Sequence, residues 1–226
     1  MLNNLNKEPL KPKRVVIVGK SGFVAKSLTQ HLTEQAVKVE IIGSDSCDLL
    51  NSALVQEFLP RFLNAEDIVV FTSAITPDRG KDENAAMKNI NMAYNSANIF
   101  AASSLSQFIY VSSDAVYPDD LTPLREDSPS AASGLYGTGH KMRELIFKEC
   151  LARTKTPLTV VRPCAIFGSS DTHNSYGPNR FMRSAMSGDK ITLFGGGEEK
   201  RPHLFVKDFC RILELIMIWK SSNEQS

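Results

Sequence analysis

No stretch of the 226 residues approaches the roughly 20 apolar residues that a membrane-spanning helix requires, so no transmembrane segment is expected. Paired cysteines are also missing. Cys47, Cys150, Cys164 and Cys210 are scattered, without the spacing of a zinc site or a disulfide framework, and read as small core residues in a reducing compartment. No His/Cys/Asp cluster has metal-ligand spacing, so no metal is expected. There is little excess charge: 26 Lys and Arg face 25 Asp and Glu, for a net charge of +1, which removes the electrostatic case for nucleic acid or an anionic membrane. The basic start (Lys7, Lys11, Lys13, Arg14) runs into strand-like residues rather than a signal-peptide apolar region, and a cytoplasmic location is expected. Repeats and low-complexity tracts are absent. What remains is a chain with 42% hydrophobic residues, enough for one sizeable core.

The most informative stretch is Arg14 to Leu28, RVVIVGKSGFVAKSL. A buried-type strand, Val15 to Val18, ends at Gly19, and helical spacing begins near Gly22. Such a turn leaves backbone N–H groups and the positive end of a helix dipole facing the same point, where a pyrophosphate binds. The spacing Gly19-x-x-Gly22-x-x-Ala25 differs in register from the three-glycine dinucleotide fingerprint, and Ala25 still allows close helix–strand packing.

Beyond a loose, polar leader over residues 1–13, short apolar strands alternate with helices. Strands are expected at Val37 to Gly43, Asp67 to Phe71, Phe108 to Ser112 and Leu158 to Val161. Helices are expected at Ser52 to Leu63, Asn84 to Ser104 and Tyr136 to Arg153. The alternation implies an α/β fold, a doubly wound parallel sheet of Rossmann type over residues 14–164. After Ala165 the pattern loosens into a small C-terminal substrate-binding lobe over 165–226, into which the sheet can continue. That part has a helix near Phe181 to Met186, strands at Ile191 to Phe194 and Leu204 to Val206, and a helix at Lys207 to Trp219. The acidic, Pro-rich stretch Pro118 to Ser133 reads as a surface loop.

Ligands of a doubly wound sheet bind beyond the carboxyl ends of its strands. Ser112-Ser113-Asp114 ends the fourth strand and Tyr136 opens the next long helix, so Ser113 and Tyr136 point towards the crevice served by the Gly19–Gly22 turn. Tyrosine serves as an acid/base for an alcohol once nearby positive charge lowers its pKa from about 10, and a serine hydroxyl can polarise the substrate oxygen.

From Arg14 to about Trp219 the chain resembles extended short-chain dehydrogenase/reductases of the NAD-dependent epimerase/dehydratase family, relatives of UDP-galactose 4-epimerase. The matching segments are VVIVGKSGFVAKSL, CDLLN, FTSAIT, NINMAYNSANIFAA, FIYVSSDAVY, LYGTGHKMRE and the later VVRPCAIFG, YGPNRF and LFGGGEEKRPHLFVKDF. The resemblance implies Ser113 as the hydroxyl-polarising serine and Tyr136 as the acid/base. It implies a cofactor site of Gly19, Lys20, Ser21, Gly22, Phe23, Val24 and Ala25, with Asp48 on the adenine, Thr72, Ser73 and Ala74 flanking the cofactor, and Asn91, Tyr136, His140 and Pro163 completing it. Ser113, Asp114, Asn179 and Arg201 fall where the family binds the nucleotide sugar. A homodimer through helices 84–104 and 136–153 is implied as well.

Two departures bear on the chemistry. The family's Tyr-x-x-x-Lys reads Tyr136-Gly-Thr-Gly-His140, with Lys141 one step on, and one helical residue turns a side chain by about 100°. His140 is therefore the expected catalytic and ribose-binding group, shaping the pH profile, and Lys141 is expected to face elsewhere. The family's dehydratases carry Asp-Glu where this chain has Asp114-Ala115, which disfavours dehydration. Cofactor choice lies between NAD and NADP. Lys20 beside the turn suits the extra phosphate of NADP and tilts the reading that way, whereas Asp45 argues for NAD.

The expected function is NAD(P)-dependent modification of a nucleotide-activated sugar, most simply epimerisation with Tyr136 as acid/base. A keto-sugar reductase uses the same residues. The reading from another class is a dinucleotide-binding sensor or scaffold with little catalysis, which His140 in the lysine position favours. His31 reads as a surface histidine, and His173 and His203 lie near the expected substrate lobe.

Overall fold

The computed structural model describes residues 2–119, 123–171, 177–193, 196 and 200–223. Its elements run β1 (Leu2–Asn4), β2 (Arg14–Val18), α1 (Phe23–Glu34), β3 (Lys38–Ile42), α2 (Ser52–Phe62), β4 (Ile68–Phe71), α3 (Glu83–Ala102) and β5 (Gln107–Val111). After a 3-10 turn at Asp114–Val116 come α4 (Leu135–Leu151), β6 (Leu158–Val161), β7 (Ala165–Phe167), α5 (Gly177–Ser187), β8 (His203–Phe205), α6 (Val206–Ile218) and β9 (Ser221–Asn223).

Five parallel strands form the central sheet in the order β3-β2-β4-β5-β6. The apolar runs VVIV and IVVF have no polar alternation because both faces of these strands are covered. Val16, Val18, Val69, Phe71, Phe108 and Tyr110 face one layer, where Val55 and Leu59 of α2, Ala93, Ala97 and Phe100 of α3 and Phe147 and Leu151 of α4 pack. Val15, Ile17, Val70 and Ile109 face the other, against Leu28 and Leu32 of α1 and Phe209, Leu213 and Ile216 of α6. Chain direction across the sheet reverses at β2, between β3 and β4, so the crevice at the carboxyl ends of β2 and β4 is the topological switch point.

Several expectations need correction. The leader is tied down. Leu2–Asn4 pairs antiparallel with Ser221–Asn223, and Asn6 N and Leu10 N donate to Trp219 O (3.2 Å) and Ile218 O (3.0 Å). Those bonds satisfy backbone groups that a loose segment would leave to water. Across the boundary expected at residue 164, α6 inserts its apolar stripe into the same layer as α1. Residues 191–193 form no strand. Ile191 and Leu193 are exposed, and no ladder partner covers them among the described residues; Phe194 lies outside those residues. Helix α2 runs through Pro60 and ends at Phe62, one residue before the expected Leu63.

Candidate active site

At Gly19 only glycine fits. Its φ of +124° lies in the left-handed region, and a methyl there would come within 2.6 Å of Thr72 Oγ1 and 2.9 Å of Ser73 N. The turn is held by Gly19 N donating to Ile42 O (2.9 Å), while Thr72 Oγ1 donates to Val18 O (2.9 Å), so β2, β3 and β4 close around it. At Gly22 a methyl would make ordinary contact, 3.6 Å from Gly19 O. Helix α1 starts there with no side-chain cap and no acidic residue in its first turn. Its N–H groups and dipole thus favour an anion placed at the turn, and Ser21 and Lys20 are exposed beside it. A dinucleotide fits this cradle. Phe23 and Val24 are half-buried, Ala25 is buried, and Phe23 reaches the backbone at Gly168.

Thr72, Ser73 and Ala74 follow β4 at the same edge and are half-buried. Asp48 accepts from Leu50 N (3.0 Å), so one of its carboxylate oxygens holds its own turn. Lys20 Nζ lies 2.5 Å from Asp45 Oδ2, and this bond draws the exposed Asp45 carboxyl below its usual range. The cation suited to a 2′-phosphate is therefore already paired with the carboxylate that opposes one.

Asn91 sits on the exposed face of α3. The asparagine that ties this helix to the site is Asn89, buried, with Oδ1 accepting from Ile75 N (2.7 Å) and Nδ2 donating to Ile75 O (3.0 Å). Two residues along a helix turn a side chain through about 200°, which separates the two roles.

Ser113 caps the 3-10 turn. Its Oγ accepts from Ala115 N (3.1 Å) and donates to Asp114 Oδ1 (3.2 Å). Burial pushes the Asp114 carboxyl up, opposed by the Ser113 bond and the charge of Arg201, so Arg201 acts on this end of the site. Asp114 N donates to Pro163 O (3.2 Å), which brings the end of β6 alongside. A methyl on Gly137 would overlap the Ala115 carbonyl oxygen, so the absence of a side chain there lets the first turn of α4, and with it Tyr136, dock on the segment after Ser113. Asn179 is buried and donates to Asp171 (2.7 Å). His173 lies outside the described residues.

His140 turns inwards. Its ring meets the Tyr136 ring edge to face at 4.6 Å, and its Nδ1 is 2.7 Å from the buried Tyr110 hydroxyl. Burial, helped by the charge of Arg143, pushes its pKa down to about 3. It is neutral across the working range and would not shape a pH profile, contrary to expectation. Lys141 faces Glu144 at 3.4 Å, half-exposed. Sequence reasoning missed Arg143, which is fully buried, donates to Ser73 O and lies over the Phe71 and Tyr110 rings at 5.3 and 5.1 Å. It also missed Glu144, which takes Ser112 Oγ (2.7 Å) and a two-pronged bond from Arg162. One signal was available: Arg143, Phe147 and Leu151 fall at helical spacing on the stripe that faces the sheet.

The model of the NAD dependent epimerase/dehydratase family matches residues 15–225. The chain belongs to that family. Among curated members it is 23% identical over 249 residues to UDP-glucuronic acid decarboxylase 1 of Xenopus tropicalis, covering 91% of this chain and 53% of that protein. It thus spans about half the length of the curated relatives it matches. Among solved structures, a GDP-L-fucose synthetase from Naegleria fowleri bound to NADP superposes with a TM-score of 0.78 at 18% identity, covering 99% of this chain and 74% of that one. The UDP-N-acetylglucosamine 4-epimerase from Methanobrevibacter ruminantium, in complex with UDP-N-acetylmuramic acid, gives 0.76 at 19%, covering 91% and 74%. These superpositions establish the Rossmann-type fold.

Proposed function

We propose that this family member modifies a nucleotide-activated sugar with NAD or NADP, most simply by epimerisation. The observation that carries the reading is the docking of α4 through Gly137 onto the segment after Ser113, at the sheet edge that also holds the Gly19 turn. Gly19 to Ala25, with Thr72 to Ala74, would hold the dinucleotide, which when bound accepts and returns a hydride. Tyr136 takes and restores the sugar hydroxyl proton. Ser113 orients the oxygen, and Asp114, whose carboxyl burial pushes up, lies beside it. Arg201 offers a permanent charge to the pyrophosphate of the substrate. Exposed Met87 and Tyr94 on α3, with Met142 and Leu145 on α4, support a homodimer through these two helices, testable by sedimentation equilibrium.

Incubation with a panel of nucleotide sugars and each cofactor tests this reading. Epimerisation interconverts sugars without net cofactor consumption, whereas a keto-sugar reductase consumes reduced cofactor. Tyr136→Phe is expected to lower turnover by about 10²–10⁴-fold. Cofactor binding with no turnover of any sugar would favour the sensor reading, which the buried, neutral His140 and the diverted Lys141 support.

A further inference from the structure

We infer that Arg143 is a positioning residue for the dinucleotide: through the Ser73 carbonyl it fixes the segment flanking the cofactor against the helix that carries Tyr136, resting on the proposed function only for what Tyr136 then does.

Residues 72–75 follow β4 and are held from three sides. Thr72 N and Thr72 Oγ1 both donate to Val18 O of β2, each at 2.9 Å. Asn89 of α3 clamps the N–H and the carbonyl of Ile75 at 2.7 and 3.0 Å. Between these two, the Ser73 backbone packs on the Gly19 turn, where a methyl on Gly19 would come within 2.9 Å of Ser73 N and 3.1 Å of Ser73 Cα. The carbonyl of that same residue accepts from Arg143 Nη2. Tyr136, His140 and Arg143 stand at i, i+4 and i+7 of α4 and so share one stripe. The Tyr136 and His140 rings meet at 4.6 Å, and His140 and Arg143 both reach Tyr110. The Arg143–Ser73 bond thus joins the wall of the Gly19 cradle to the stripe that begins at Tyr136.

Stability does not account for an arginine here. Arg143 is fully buried, and its Nε and Nη1 have no hydrogen-bond partner among the described residues. No carboxylate pairs with it among those residues, since the neighbouring Glu144 is taken by Arg162, Ser112 and Lys141. The Phe71 and Tyr110 rings, 5.3 and 5.1 Å from its Cζ, offset only part of the cost of taking a permanent charge and two N–H groups out of water. An apolar side chain of similar length would suit this interior at least as well. It would not hold the Ser73 carbonyl.

Arg143→Met tests this with three measurements on the full chain: urea unfolding, hydrogen–deuterium exchange without nucleotide, and fluorescence titration with NADH and NADPH. The expected urea midpoint equals or exceeds that of the wild type. Exchange should rise in the peptide covering residues 72–76 and stay unchanged in the rest of the sheet, while both nucleotides bind about tenfold more weakly because the segment is no longer preorganised. A structural residue would instead lose stability and affinity together, so a lower midpoint, or failure to fold, overturns the inference. Wild-type affinity, or wild-type exchange at 72–76, overturns it as well. A wild-type chain that binds neither nucleotide counts against the cofactor site itself, and the exchange comparison, made without nucleotide, still decides whether Arg143 holds the segment.

Discussion

Arg162 holds Glu144 through two parallel hydrogen bonds, Nε to Oε1 at 2.8 Å and Nη2 to Oε2 at 2.7 Å, and so ties the end of β6 to the middle of α4. Its Nη1 also donates to Tyr117 OH at 2.6 Å, which joins the segment after the 3-10 turn to the same knot. The carboxylate raises the Arg162 guanidinium above its ordinary range, so the arginine stays charged. Three pieces of backbone that frame the candidate site are thus fixed by one ion pair.

Glu144→Gln should therefore cost about 3 kcal/mol in urea unfolding, because the half-buried Arg162 charge loses its partner. The double variant Glu144→Leu, Arg162→Met should recover much of that loss. If the single substitution proves neutral, the pair does not hold the framework.

At the cofactor turn, Gly19→Ala and Gly22→Ala should separate cleanly. The first forces a side chain into a positive φ and against Thr72 and Ser73, with an expected cost of about 1–3 kcal/mol and loss of NAD(P)H binding by fluorescence titration. The second has room and should stay within about 1 kcal/mol of the wild type.

His140 predicts an acid sensitivity of stability. Its folded pKa, about 3, lies below the ordinary value near 6.5, so the unfolded chain binds the extra proton first. Its contribution is complete above pH 6.5 and declines as pH falls towards 3, by about 2 kcal/mol between pH 6.5 and pH 5. Urea midpoints of wild type and His140→Gln should converge over that interval as pH falls. Parallel curves would show that His140 is not buried in its neutral form.

The Lys20–Asp45 pair predicts cofactor preference. Asp45→Ala releases Lys20 and removes the carboxylate that opposes a 2′-phosphate, so the ratio of NADPH to NADH affinity should rise several-fold, more so at low salt. An unchanged ratio would place the 2′ position of the ribose elsewhere.

The sequence by itself determined the layers. Val15 to Val18 and Ile68 to Phe71 are uninterrupted apolar runs, legible as strands buried on both faces, and the periodic residues of α1, α3 and α6 announce helices that cover them. The glycine turn was legible for the same reason, since strand, glycine and helix are local features of the chain. Side-chain direction was not. Whether Asn89 or Asn91 reaches Ile75, and whether His140 meets solvent, cofactor or Tyr110, depends on how α3 and α4 are rotated against the sheet. That rotation is set by non-local packing, including the contact of Gly137 with Ala115 and the insertion of Arg143 between Phe71 and Tyr110. The tethering of Leu2–Asn4 to Ser221–Asn223 likewise joins residues more than 200 positions apart, and no local pattern encodes it. Local sequence sets which segments become strands and helices; the tertiary contacts alone decided which atoms of those segments meet at the site.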